Sequence, residues 1–299
     1  MTVHISTGCF QCKSLDEIVA LACKHGFDLE LSSSLAYSSN MLNPVFLAQS
    51  KVGFLLHNYF PPPAVPFVLN LASSNIETRS RSFNFCLEAI SLCADIGIPF
   101  YSVHAGYAME MDIDMLGKPH LQGDACRATK TDRGQAYQTF VETIRNLAKF
   151  AGEKQVGLLV ENNVLAVENL ASDGTSPLLL ADVDEIKKFF SDLCCTGVGL
   201  ILDVGHAKVS AETLKIKPQS YFDELGPFIR CLHLSDNDSG SDSHRPFSVR
   251  SWFVSYLKKY EQVPMVLEVY HSSLSEILEQ RSLLMSLLDL NPCDRNRSL

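Results

Sequence analysis

The sequence predicts a single-domain (β/α)8 barrel, on three observations. Strand-like and helix-like segments alternate almost from end to end. The strand-like runs are apolar on both faces, as an all-parallel sheet covered by helices requires. Six of these runs end in a residue of metal-ligand type: FLLHN in His57, YSVHAG in His104, GLLVENN in Glu161, GLILDVGH in Asp203 with His206, CLHLSDND in His233 and MVLEV in Glu268. A parallel barrel gathers such strand ends at its C-terminal mouth, where barrel enzymes carry their chemistry.

The elements follow in order. VHIST (3–7) reads as strand one. SLDEIVALACKHG (14–26) is a helix, with Ser14 as N-cap, Glu17 completing a capping box and Gly26 as the stop. FDLELS is strand two, and a weak helical pattern in MLNPVFLAQSK leads to GFLLHN, strand three. The Pro-rich YFPPPAVPFVLNLAS cannot be regular helix. Residues 75–97 carry apolar positions at helical spacing and lead to strand four, FYSVHAG. The stretch from Tyr107 to Thr131 is long and polar, an excursion or a lid. A helix from Asp132 to Lys154 precedes VGLLVENN, strand five. After the loop NVLAVENLASDGTSPLLL come the helix DVDEIKKFFSDL and strand six, GVGLILDVGH. The short helix SYFDELGPF, strand seven (IRCLHLSDND), a helix over SVRSWFVSYLKKY, strand eight (PMVLEVY) and a closing helix over SLSEILEQRSLLMSLLDL complete the set. The barrel is expected over 1–290, with 291–299 a frayed tail. An open doubly wound sheet would need a Gly-rich phosphate turn, and neither G-x-G-x-x-G nor G-x-x-x-x-G-K-[ST] occurs.

Bulk properties narrow the partners. The formal net charge is −9, which counts against a nucleic-acid partner, since phosphate contacts call for a basic face. No apolar run reaches membrane-spanning length, and MTVHISTG lacks the charged and apolar regions of a signal peptide. The ten cysteines are scattered, and the Cys9/Cys12 C-x-x-C pair has neither a second pair nor a redox context. The expectation is a reduced cytoplasmic protein, with homo-oligomerisation usual for such barrels.

Glu161, Asp203, His233 and Glu268 close four different strands. Three carboxylates and one imidazole make a hard, mostly oxygen site suited to Mn, Mg or Co, with Zn admitted. Singly, each reads as a strand-end polar group satisfied by backbone; the serial pattern favours a metal. His57, His104 and His206 read as groups that support the ligands or bind substrate, ahead of direct ligation. Asp242 and His244, in SGSDSHRP, form a D-x-H pair in a polar loop.

VENN, LDVGH, HLSDND with its following D-x-H, and LEVY resemble the xylose-isomerase-like barrel superfamily across nearly the whole chain. That group includes sugar and sugar-phosphate isomerases and epimerases, and endonuclease IV. The resemblance implies that Glu161, Asp203, His233 and Glu268 hold the shared metal of the epimerases, with both glutamates as proton-transfer bases. It matches His57, His104, His206, Asp242 and His244 to positions completing a three-zinc cluster in endonuclease IV. The chain departs from that pattern where RPFSVRSW follows the D-x-H pair in place of an L-G-x-G-like turn.

The expected function is therefore divalent-metal-dependent isomerisation or epimerisation of a small-molecule carbohydrate, through an enediolate. Asn163, His104 and His206 are candidates for substrate hydroxyls, and Arg245 for a phosphate or carboxylate. The alternative is an endonuclease IV-like phosphodiester hydrolase.

Overall fold

Eight parallel strands close into a barrel: β1 (Val3–Ser6), β2 (Asp28–Leu31), β3 (Phe54–His57), β4 (Phe100–His104), β5 (Gly157–Glu161), β6 (Val198–Asp203), β7 (Ile229–Leu234) and β8 (Met265–Leu267). Each pairs with its neighbours in chain order, and β8 closes on β1. The computed structural model describes residues 2–10, 13–38, 50–113, 129–171, 173–194, 197–270 and 272–289. Strand eight, expected over seven residues, pairs over only three, so Glu268 lies one residue beyond it.

Among the described residues seven α-helices cover the strands: α1 (Leu15–His25), α2 (Ile76–Ile96), α3 (Arg133–Glu153), α4 (Val183–Leu193), α5 (Val204–Leu214), α6 (Gln219–Leu225) and α7 (Leu274–Leu287). Their starts follow the expected capping chemistry. Ser14 and Ser273 each form a capping box, with Glu17 and Glu276 respectively. Gly26 ends α1 at φ 68°, a conformation that suits glycine. Among the described residues no helix is long and apolar enough to cross a membrane. Cys9, Cys23, Cys86, Cys93, Cys194 and Cys231 are free thiols; Cys12, the second member of the C-x-x-C pair, lies outside the described residues.

Two expectations need correction. The sequence showed no helix between strand six and SYFDELGPF, yet α5 begins directly after Asp203. The expected helix over SVRSWFVSYLKKY is a 3-10 helix over Val254–Tyr260. Its inward residues Val254, Leu257 and Tyr260 repeat every three residues, which matches three residues per turn rather than 3.6. Part of the Tyr107–Thr131 excursion returns as a two-stranded ladder pairing Met109–Glu110 with Thr129–Lys130. The weak helix expected over MLNPVFLAQSK and the 291–299 tail lie outside the described residues.

Alternation along the strands builds the barrel interior in layers. Leu55, Phe100, Leu159, Ile201, Cys231 and Val266 form one buried apolar cluster inside the barrel. The next inward residues are His57, Ser102, Glu161, Asp203, His233 and Glu268, two positions further along each chain segment. The apolar layer plugs the barrel; the polar layer sits on it at the mouth.

His4 lies lower in the barrel on β1 and is buried. Burial holds its pKa down to about 4, although Asp28 pulls the other way. An unfolded histidine takes up its proton near 6.5. Between those values the unfolded state binds more protons, so stability falls as pH drops from about 6.5 to about 4. His4→Gln should flatten that limb of the pH–stability curve in urea unfolding, a change on the order of 3 kcal/mol. An unaltered limb would contradict this.

Candidate metal centre and active site

Strand register brings the ligand-type residues together. His104 lies beside Glu161 and Asp203 beside His233 as Cα partners, while His57 lies beside Ser102. Glu161, 1% exposed, stands at the centre. Its Oε2 lies 3.1 Å from His57 Nε2, 3.4 Å from His104 Nε2 and 3.7 Å from His233 Nδ1. Its Oε1 lies 3.3 Å from His206 Nδ1. Glu268 Oε2 faces the same His233 nitrogen at 3.5 Å.

Asp203 divides its carboxylate between two tasks. Oδ1 accepts the His206 backbone N–H at 2.8 Å and caps α5. Oδ2 is buried with no hydrogen-bond partner. Because α5 starts at once, His206 falls in its first turn, and His206 Nε2 lies 3.1 Å from Asp242 Oδ2. His244 Nε2 approaches the same oxygen at 3.0 Å. Gly205 permits this closeness, since a Cβ there would sit 2.6 Å from Ser235 Oγ and 3.2 Å from Asp242 Oδ1. The loop carrying Asp242 and His244 is strapped by Asp236 and Arg245, which exchange backbone hydrogen bonds at 2.8 and 2.7 Å. Lys208 of α5 reaches Asp236 at 2.6 Å.

The residues thus fall into three sets. Glu161, Asp203 and His233, joined by Glu268, form a core. His57, His104 and Glu161 form one flank, and His206, Asp242 and His244 the other. Burial pushes the Glu161 carboxyl up to about 8. Burial pushes Glu268 up too, but His233, His244 and His57 pull it down further, and it ends well below the usual carboxylate range. Burial and the neighbouring His206 hold His104 down to about 3.

Three comparisons bear on this arrangement. The chain matches the family described as Xylose isomerase-like TIM barrel over residues 13–282. It belongs to that family. A probable endonuclease 4 of Mycoplasmoides gallisepticum is 28% identical over 116 residues, which are 35% of this chain and 38% of that protein. The match therefore spans well under half of that relative's length. Among solved structures, a D-tagatose 3-epimerase-like protein superposes with TM-score 0.71 at 16% identity, covering 97% of each chain. An AP endonuclease, family 2, from Brucella melitensis gives 0.65 at 13% identity, covering 92% of this chain and 95% of that one. At such identities the structures share the fold of the xylose isomerase-like barrels.

The donor set fits the divalent metal that this family implies. Glu161 Oε2, Asp203 Oδ2, His233 Nδ1, Asp242 Oδ1 and His244 Nδ1 are all buried without hydrogen-bond partners. Buried polar atoms are normally satisfied, so five unsatisfied ones at a single mouth point to a cation.

The structure places two other sequence candidates elsewhere. The Asn163 amide nitrogen donates to the carbonyls of Ala105, Gly106 and Leu179 at 2.8–3.2 Å, tying the loop after β4 to the loop after β5 rather than presenting a donor to the mouth. The Arg245 guanidinium is 57% exposed and pairs with Asp238 at 2.8 Å.

Four neighbours went unnoticed in the sequence. Glu30 on β2, fully buried, binds His233 Nε2 through Oε2 at 3.0 Å. Ser102 meets His57 Nδ1 at 2.9 Å. Asn162 joins β5 to β6 by accepting the Asp203 N–H at 2.9 Å, and its own carbonyl lies 2.8 Å from His206 Nδ1. Tyr270 stacks on His244 at 4.0 Å between ring centroids, with its hydroxyl 3.2 Å from Glu268 Oε1. Ser102→Ala frees the His57 ring, and metal affinity at that flank is expected to fall about tenfold. Chelator competition checks this; full affinity would remove Ser102 from the account.

Proposed function

We propose that this chain is a divalent-metal-dependent isomerase or epimerase of a carbohydrate-type small molecule. The observation that carries this reading is the pair of buried glutamates facing His233 Nδ1, at 3.7 Å for Glu161 and 3.5 Å for Glu268. Their surroundings drive their proton affinities in opposite directions, the pattern expected of an acid and a base sharing one site.

Glu161, Asp203, His233 and Glu268 would hold the ion. A bound divalent ion would supply Lewis-acid polarisation of the substrate carbonyl and balance the charge developing on its oxygen. Glu268, which its surroundings keep ionised, takes the proton from the carbon beside that carbonyl. Glu161 returns a proton, to the opposite face of that carbon in an epimerisation or to the adjacent carbon in an isomerisation. The acidic balance and the engagement of Lys208 and Arg245 by carboxylates favour a small substrate over a polyanion.

The test is exchange of substrate C–H for solvent deuterium, followed by NMR across a panel of ketoses, aldoses and their phosphates with Mn, Mg, Co or Zn present. Exchange and interconversion of one sugar pair support the reading. Absence of exchange across the panel, with metal bound, counts against it.

A second reading, phosphodiester hydrolysis, is favoured by one observation: both flanking sets are complete in ligand type and adjoin the core. It predicts three ions per chain and cleavage of an abasic-site duplex, with no sugar exchange.

A further inference from the structure

Three of the histidines present one ring nitrogen to the mouth and fix the other, but they fix it differently. His57 is held by a hydroxyl, that of Ser102, at 2.9 Å. His206 is held by a backbone carbonyl, that of Asn162, at 2.8 Å. Of these three, His233 alone is held by a carboxylate, Glu30, at 3.0 Å, and that carboxylate lies outside the three sets, unlike the Asp242 that meets His244 at 3.0 Å in its own flank. An ionised acceptor makes the stronger hydrogen bond and leaves the opposite nitrogen a better donor to a metal.

Glu30 is costly where it stands. It is wholly buried on β2 between Leu29 and Leu31, and its Oε1 has no hydrogen-bond partner. An apolar residue of similar volume would serve packing as well or better. The carboxylate therefore calls for a task that packing does not supply. The core also carries three carboxylates of its own, whereas each flank carries one, and Glu161 serves both the core and the His57 flank.

We propose that the core of Glu161, Asp203, His233 and Glu268 fills with metal before either flank, and that Glu30 is the positioning residue that gives the core this precedence. The inference rests on the metal reading above and adds an order of loading and a residue that sets it. Glu30 orients His233 with Nε2 bearing the hydrogen and Nδ1 free for the ion. The flanks then load onto a mouth whose central charge is already balanced.

The experiment strips the full chain with a chelator and titrates Zn2+ against a chromophoric competitor, with Co2+ absorption spectra as a second readout. The wild type should bind one ion tightly and any others more weakly. Glu30→Gln should weaken the tight ion 10–100-fold and shift its Co2+ spectrum, with the circular dichroism of the fold retained. Should Glu30→Gln fail to fold, His104→Ala and His244→Ala keep the test open. Each should remove weak binding at its own flank and leave the tight affinity within about twofold. Equal affinities in the wild type, an unchanged tight ion in Glu30→Gln, or loss of the tight ion in either flank variant overturns the inference alone. A wild type that binds no ion overturns the metal reading beneath it as well.

Discussion

Glu268→Gln is expected to leave the barrel folded and to lower solvent exchange of the substrate C–H by about 100-fold or more, the range a positioned general base contributes. The exchange is between carboxylate and amide of equal size, one residue past β8, so the backbone pairing of β8 with β7 and β1 is untouched. What disappears is the anion facing His233 and His244. Glutamine cannot take a proton from carbon, and the Tyr270 hydroxyl that contacts Glu268 Oε1 has no comparable basicity. Deuterium wash-in by NMR measures the outcome. Undiminished exchange would take Glu268 out of the proton-transfer role.

Asp203→Asn tests the centre from the other side. Asparagine keeps an Oδ1 to cap α5, a position it favours as much as aspartate does, so the helix and the placement of His206 should survive. The second oxygen becomes an amide nitrogen that donates rather than accepts. Metal affinity of the core should fall by more than the 10–100-fold typical of losing an indirect support. Isothermal titration with Zn2+ or Mn2+ measures it. Retained affinity would mean that Asp203 serves only as the helix cap.

The mouth was legible because a parallel barrel makes a local sequence signal into a spatial one. Strand ends converge whatever path the loops take, so His57, His104, Glu161, Asp203, His233 and Glu268 announce a common mouth, although in the layer itself β4 contributes Ser102. Supports were hidden for the opposite reason. Glu30 looks like a polar intrusion in FDLELS, and the histidine it holds lies 203 residues away in sequence. Ser102 is one small residue inside an apolar strand, informative only once β3 and β4 are in register. Helix α5 was missed because it has no linker: its N-cap is the last residue of β6. The D-x-H pair sits in a polar loop without regular periodicity, so sequence could not say whether Asp242 reached the mouth. The close approach allowed at Gly205 brings it to His206 at 3.1 Å.

The proposed metal centre is the polar layer on the apolar plug, built on Glu161, Asp203, His233 and Glu268. Elemental analysis of the purified chain tests it most directly. Dialysis at pH 8 or above suits the measurement, because a proton competes with metal for Glu161, whose carboxyl is pushed up to about 8. At least one equivalent of divalent metal per wild-type chain is expected, with loss of that equivalent in Asp203→Asn while the fold stays intact. A folded wild type that holds no metal after exposure to Mn, Mg, Co and Zn would contradict it.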